Sequence, residues 1–457
     1  MAFRKSGKLA AAQAVIIAAT VLFAVAAPRF INVMAVAENW ASDLRVTFFN
    51  PPAKAQNDIV VLTINEDTLA LLPYRSPIDR GFLAGVLIDL KAAGARAVGI
   101  DILFDQPTEP EKDQAFLDAV KSMGVPVVVG WTDVETGLTE SQYEFQKVYL
   151  KDVAAGYSNL FKDTVDGTVR NLFPGRENDG KYRLGFASML AEALGHEPPD
   201  QSIRIDYRGR PDAETPAFPA FPIHAMKALP QAWLAGKVVM IGADLPFGDR
   251  HRTPFAAGMG IAKGTFPGVA IQSHILSQIM EGRTAKGTNV TIEIMIAVTL
   301  ASIASLLVFS QQPAAAKYAE GLITLTAFSA GAVWVFTEYR LNLPMVSPTI
   351  AFGAALGLGS AYAARLQKAE REFIHGAFSH YVSPAMVERM AENPESLKLG
   401  GEKRDLTLLF CDVRGFTTIS EQFDAVGLTA LINKLLTPLT NVILSNQGTV
   451  DKYMGDC

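Results

Sequence analysis

Four stretches of the chain are apolar and long enough to cross a bilayer, and they are unevenly spaced. Leu9–Ala27 carries no charge. Val290–Phe309 is interrupted only by Glu293 near its start. Gly321–Phe336 and Met345–Ala364 follow, after the short polar connections Ser310–Glu320 and Thr337–Leu343. A hydrocarbon core of about 30 Å takes about 20 helical residues, so each run predicts one crossing and the last three predict a compact bundle. Buried core helices are the competing reading of the three clustered runs. A cleaved signal peptide competes for the first, whose flank MAFRKSGK is basic and whose end, Ala26-Ala27, is small. The run is long for a signal-peptide core, which favours an uncleaved anchor.

Between the first two crossings the pattern shortens. DIVVLTI (Asp58–Ile64), RAVGIDILF (Arg96–Phe104), VPVVVG (Val125–Gly130) and KVVMIG (Lys237–Gly242) are brief, nearly continuous apolar runs that predict buried strands. Phe82, Val86, Leu87 and Leu90 fall at helical spacing within Ile78–Ala93, and Gly94 predicts the end of that helix. Glu111–Met123 predicts a second helix, and Pro267–Met280 a third, with Pro267 near its first turn. The β-α-β-α-β order predicts a parallel sheet covered by helices.

Charge orients this arrangement. Arg4, Lys5 and Lys8 precede the first crossing, and Arg365, Lys368 and Arg371 follow the last. The positive-inside rule puts both ends in the cytoplasm, and four crossings satisfy that parity. Residues 28–286 then lie outside, and Glu293 snorkels at the outer interface. The 457 residues leave room for two or three domains. The mean hydropathy of +0.19 agrees with membrane segments. A net charge of −5 without a concentrated basic face excludes nucleic acid as the expected partner. The two cysteines, Cys411 and Cys457, provide neither a disulfide framework nor a metal-ligand spacing. The cysteine-free outer segment must therefore be held by a packed core, which its length permits.

Candidate chemistry in the outer domain is sparse. Asp101 and Asp105 flank the end of the second strand, where open α/β sheets often place ligands, and Glu109, Glu111 and Asp113 follow. This is a conceivable metal site, but a solvated acidic loop is the favoured reading. The polar stretch Gly248–Phe255 (GDRHRTPF) could bind an anion, and is favoured as a structural loop. No nucleophile elbow, phosphate loop or HExxH occurs here. The stretches DIVVLTINEDTL, GARAVGIDILF, LAGKVVMIGAD and GDRHRTPFA, placed after an anchor and before three clustered crossings, resemble the second type of CHASE sensory domain over roughly residues 38–364. The resemblance implies a bacterial receptor in the inner (plasma) membrane with an unknown external ligand. Asn65 stands where that family often has Asp.

Beyond the last crossing, Leu366, Ala369, Phe373, Ala377 and Tyr381 form an a/d-like stripe on a continuing helix. It predicts either a paired stalk able to transmit motion or a single helix packed on its own domain. Ser383-Pro384 predicts the start of another helix and Asn393-Pro394 its end, and Gly400–Arg404 a polar hinge. Residues 365–398 are thus the expected transducer, between the segments 1–8, 9–27, 28–286, 290–309, 321–336 and 345–364 and a final domain over 399–457.

In that final domain Asp405–Cys411 (DLTLLFC) predicts a buried strand ending at Asp412, a helix is expected over Glu421–Leu444 with Pro438 shortening or kinking it, and Gly448–Met454 predicts a second strand before a Gly455-Asp456 turn. A carboxylate at a strand end and another at a neighbouring hairpin suit two Mg²⁺ ions bridged to triphosphate oxygens, and the glycine-containing loop lets backbone amides approach phosphate. LGGEKRDLTLLFCDVRGFTTISE followed by GTVDKYMGDC closely resembles the catalytic domain of class III nucleotide cyclases. The resemblance implies a partial ferredoxin-like α/β domain that works as a homodimer on ATP, with Mg²⁺ or Mn²⁺, two ions per site. By motif position, Asp412 and Asp456 resemble the metal-binding aspartates, and Val413 would add its backbone carbonyl. Gly415, Phe416 and Thr417 belong to the phosphate-side loop, and Lys452 resembles the residue that reads adenine. An ammonium donates to the adenine N1 acceptor, whereas guanine presents an N–H there and needs a carboxylate. Cys411 stands where many relatives have Ser, and is expected to pack as a small apolar residue.

The family's later base-contacting residue and its transition-state Asn and Arg would lie past Cys457, so an incomplete, inactive piece of a receptor adenylate cyclase is expected. A non-enzymatic sensor with a vestigial cyclase tail, or a guanylate cyclase, are the alternatives, the last disfavoured by Lys452.

Overall fold

The computed structural model describes residues 2–178, 180–212, 214–378 and 405–454. The expectations for Tyr381, the Ser383–Pro394 helix, the Gly400–Arg404 hinge, and Gly455, Asp456 and Cys457 fall outside these. The described chain forms two compact units, one of residues 1–307 with 311–355, the other of 308–310 with 356–457.

The first unit starts with α1 (Ala2–Phe30) and α2 (Asn32–Phe49). The sheet strands β1 (Ile59–Ile64), β2 (Ala97–Leu103), β3 (Val127–Trp131) and β4 (Ala154–Tyr157) follow, linked by α3 (Glu66–Ala70), α4 (Arg80–Ala92), α5 (Pro110–Ser122) and α6 (Glu140–Tyr149). Two small antiparallel pairs come next, β5 (Phe161–Lys162) with β6 (Val169–Asn171), and β7 (Gly175–Asn178) with β8 (Lys181–Leu184). After α7 (Phe186–Ala193), β9 (Ala220–Pro222) and β10 (Val238–Ala243) complete the sheet. Its order is β4-β3-β2-β10-β1-β9, and every pairing is parallel. The predicted strands and the parallel pairing are therefore present, with β10 inserted between the first two.

Burial on both faces explains the unbroken apolar runs. Val60, Leu62 and Ile64 of β1 face the layer of α4 and α5, whereas Ile59 and Val61 face α7 and the helix α10 (Gly268–Met280). Asp79 caps α4 by accepting from the Phe82 amide at 2.8 Å, and Gly94, at φ +77°, follows its end. Asn65 caps α3 in the same way, from the Thr68 amide at 2.9 Å. The departure from Asp at that position thus costs little, because both side chains cap well. Gly156 lets α7 approach β4: a Cβ there would lie 2.8 Å from the Phe186 Cα.

Past β10, β11 (Arg250–Arg252) pairs with β12 (Thr265–Pro267) around two single turns, α8 (Ala256–Met259) and α9 (Ile261–Gly264). The short β13 (Lys286–Gly287) and β14 (Leu341–Asn342) are paired beside the helices α11 (Val290–Phe309) and α12 (Ala314–Tyr339), and α13 covers Val346–Phe378. Five helices among the described residues are long and apolar enough to cross a membrane. Four match the predicted runs: Leu9–Phe30, α11, α12 and Val346–Phe373. The fifth is Ala425–Ser445, in the last segment. Arg29 pairs with Glu293 at 3.2 Å, tying the end of α1 to the start of α11. Glu293 therefore has a specific partner.

In the second unit the helix Ala425–Ser445 continues through Pro438, and none of its residues is buried. The two strands expected there are absent among the described residues: 405–412 and 448–454 carry no regular structure. Leu408 and Phe410 are 77% and 78% exposed, and Cys411 is exposed where packing was expected. An apolar run becomes a strand only when a neighbour takes up its amides and carbonyls, and no described residue does so.

Candidate functional site

Two regions carry candidate chemistry. In the second unit, Asp412 and Val413 lie in the extended stretch before Gly415, whose φ of +79° turns the chain into the short helix Phe416–Ser420. Phe416 and Thr417 form its first turn, and the Phe416 amide donates to the Val413 carbonyl at 3.2 Å. Lys452 is exposed, with its ammonium 3.6 Å from Asp451. No hydrogen bond or ion pair joins Asp412, Phe416, Thr417 and Lys452 among the described residues. The hard oxygens of Asp412 and of the Val413 carbonyl suit a hard cation such as Mg²⁺. The second proposed carboxylate, Asp456, lies outside the described residues, and among those described no group of three or more His, Cys, Asp or Glu could hold a metal.

The outer-domain acidic stretch also resolves into structure. Asp113 pairs at 2.7 Å with Arg80, which is 1% exposed and packs its guanidinium 4.4 Å from the Tyr149 ring centroid. Glu109 accepts from Lys112 at 2.9 Å and from the Tyr74 hydroxyl at 2.7 Å. Asp113 and Glu109 of the expected solvated acidic loop therefore belong to an ion network anchoring α5. In the Gly248–Phe255 stretch, Arg250 pairs with Asp244 and His251 with Asp249.

Sequence reasoning missed two features of this unit. The first is a polar clasp on α2. Asp43 receives two hydrogen bonds from Arg170, at 3.0 and 2.6 Å, and both residues are buried. Arg45 donates to the Leu343 carbonyl at 2.8 Å, and Ser42 to Asn342 at 3.2 Å. The Glu38 carboxylate accepts from the amides of Met345, Val346 and Ser347 at 2.7, 2.9 and 3.2 Å, capping α13 from another helix. Thus α2, directly after the first apolar helix, grips both the α/β domain and the start of the last one. The sequence signal was faint: Glu38, Asp43 and Arg45 are the charges on an otherwise uncharged helix.

The second feature is a cavity of about 610 Å³ bounded by β1, β9, α2, α8 and α10. Its walls include Phe218, Phe255, Phe266 and His274. Phe255 stacks on Phe266 at 5.4 Å, and Phe218 meets the His274 ring edge-on at 4.9 Å. Burial pushes the His274 imidazole down to about 3, and the nearby arginines add to the shift, so it is neutral. Its Nδ1 accepts the Arg208 amide at 3.1 Å, which leaves the proton on Nε2. The signal for this region was α10 itself: a helix with no Asp, Glu, Lys or Arg is buried on all sides.

A parallel α/β domain framed by apolar helices defines a membrane protein with an α/β sensor module. The chain belongs to the CHASE2 domain family, whose model matches residues 16–309. It is therefore a membrane-bound signal-transduction protein. An adenylate cyclase of Anabaena cylindrica is 30% identical over 84 residues, 18% of this chain and 16% of that protein. Uncharacterized proteins of Mycobacterium tuberculosis and Mycobacterium bovis are 30% identical over 87 residues, 19% of this chain and 15% of theirs. These matches span less than a fifth of the curated relatives' length. No solved structure matches the chain.

Proposed function

We propose that the protein is a receptor adenylate cyclase of the bacterial inner membrane, in which the CHASE2 domain lies outside and the segment from Leu399 onward contributes to a cytoplasmic class III catalytic domain. The observation that carries this reading is the motif pair CDVRGF and DKYMGD in a CHASE2 chain. The partial similarity to an adenylate cyclase supports it.

In this reading the ribose 3′-oxygen of ATP attacks the α-phosphorus. The 3′-O–P bond forms, the bond to pyrophosphate breaks, the 3′-proton passes to water, and 3′,5′-cyclic AMP leaves. Asp412, the Val413 carbonyl and Asp456 would hold two Mg²⁺ or Mn²⁺ ions. When bound, such ions acidify the hydroxyl and neutralise the triphosphate. Gly415 allows the chain to turn sharply, so that the Thr417 amide would face phosphate oxygens, and the Phe416 amide would do so on leaving the Val413 carbonyl. Lys452 donates to adenine N1 in the site of the partner subunit of a homodimer.

The lack of regular structure over 405–412 and 448–454 among the described residues favours a second reading, a membrane sensor without catalysis. Cyclic AMP formation in membranes from cells expressing the gene separates the two. Asp412→Asn is expected to cost about 100-fold or more, since even outer-shell changes at metal sites cost about 10–100-fold. Lys452→Glu is expected to lower the preference for ATP over GTP. Membranes that make no cyclic nucleotide with either metal would overturn the enzyme reading in favour of the second.

A further inference from the structure

We propose that the outward face of α2 is a lipid-contact surface, on which Val33, Val36 and Trp40 rest in the headgroup layer of the bilayer. The partner is the membrane itself, and the inference holds whether or not the chain makes cyclic AMP.

The contacts of α2 fix its level. Just before it, Arg29 pairs with Glu293 near the start of α11 at 3.2 Å. Glu38 caps the start of α13, and Ser42 donates to Asn342 in the connection between α12 and α13. Asn50, directly after the helix, accepts from Arg340 at the end of α12 at 2.5 Å. The pairing of β13 with β14 sets the neighbouring ends of α11 and α12 at one height. Glu38 and Asn50 are about 18 Å apart along a helix, yet both meet ends of spanning helices on the same side. Thus α2 lies along the bilayer surface instead of standing out from it.

The face it turns outward is apolar and uncharged. Val33, Val36 and Trp40 recur at helical spacing, and Val33 and Trp40 are 76% and 54% exposed. The three charges of α2 are directed elsewhere: Glu38 to the amides of α13, Asp43 to Arg170 and Arg45 to the Leu343 carbonyl. The neighbouring surface at this height is also apolar and exposed. Phe30 ends α1, and Trp334 and Tyr339 meet edge-on at 5.7 Å near the end of α12. The face of α2 therefore continues the aromatic border of the spanning helices, and Trp and Tyr collect at that depth because one end of the ring is apolar and the other polar. Lipid meets both surfaces at once. A protein docked on α2 would have to displace lipid from the helices beside it. Without charge on this face, the contact depends on apolar burial and not on anionic headgroups.

The position gives lipid contact a consequence. Glu38 projects from the side of α2 opposite Val33 and Trp40, so a change in the headgroup layer bears on the cap of α13.

Spin labels on the full chain in phosphatidylcholine bilayers test this. Cys411→Ser with Cys457→Ser removes the native thiols. Val33→Cys and Trp40→Cys, both at exposed positions, then carry a label without opening the core. Val134→Cys in the α/β domain and Val298→Cys in α11, also exposed, serve as water and lipid references. Relaxation by dioxygen, compared with that by a water-soluble nickel chelate, should place the labels at 33 and 40 about 5–10 Å into the boundary between headgroups and acyl chains. That lies between the two references. Adding phosphatidylglycerol should leave this depth unchanged. Labels that respond like the water reference overturn the proposal. Labels shielded from both reagents and broadened by a neighbouring label also overturn it, in favour of contact with a second copy. So does a depth that appears only with phosphatidylglycerol.

Discussion

Asp101 shows how a single residue acquires a property from its surroundings. It lies in β2 opposite Gly242 of β10, and burial pushes its carboxyl up to about 7, with the nearby Asp249 charge adding to the shift. In the unfolded chain the same group titrates near 4. Between about pH 4 and pH 7 the folded state therefore binds more protons, so stability falls as pH rises through that window and is flat in this respect above it. Asp101→Asn should remove this part of the slope; a Tm-against-pH curve from pH 4 to pH 8 unchanged by the substitution would contradict it. Arg170 makes the opposite case, a buried charge that is fully partnered. Arg170→Ala leaves Asp43 buried with only Arg204, at 3.7 Å, nearby. Loss of one member of such a pair costs about 3–5 kcal/mol. The Tm of the solubilised protein should fall by roughly 6 °C or more. The acidic positions near 101–113 were visible in the sequence, but their roles were not, because Arg80 sits 33 residues from its partner Asp113.

Among the elements, α2 has the longest reach for its size. Its Glu38 cap supplies acceptors for three amides that open α13 and that the helix itself cannot satisfy. Glu38→Ala should release them: hydrogen exchange at Met345, Val346 and Ser347 should accelerate, and Glu38→Gln should restore part of the protection through its remaining carbonyl oxygen. Unchanged exchange in the alanine variant would show that water or another group serves as well. The elements of the sheet were legible, since β1, β2, β3 and β10 are apolar on both faces and need no partner to be recognised. The expected strands at 405–411 and 448–454 failed for the converse reason. Neither segment is paired with another among the described residues, and an unpaired run has no ladder to join.

At the scale of the whole molecule, the spacing of four uncharged or nearly uncharged runs set the membrane plan, because the thickness of a bilayer translates directly into helix length. The alternation of short apolar runs with helical patterns implied a parallel sheet, and the CHASE2 match agrees with it. Such features depend on a residue and its near neighbours, so one dimension is enough to read them. The insertion of β10 between β1 and β2, the buried Asp43–Arg170 pair, the capping of α13 by Glu38 and the aromatic cavity around His274 each join residues more than 100 positions apart or depend on which side chains are left unpaired. Only the folded chain decides these, because burial and charge pairing are properties of neighbours in space.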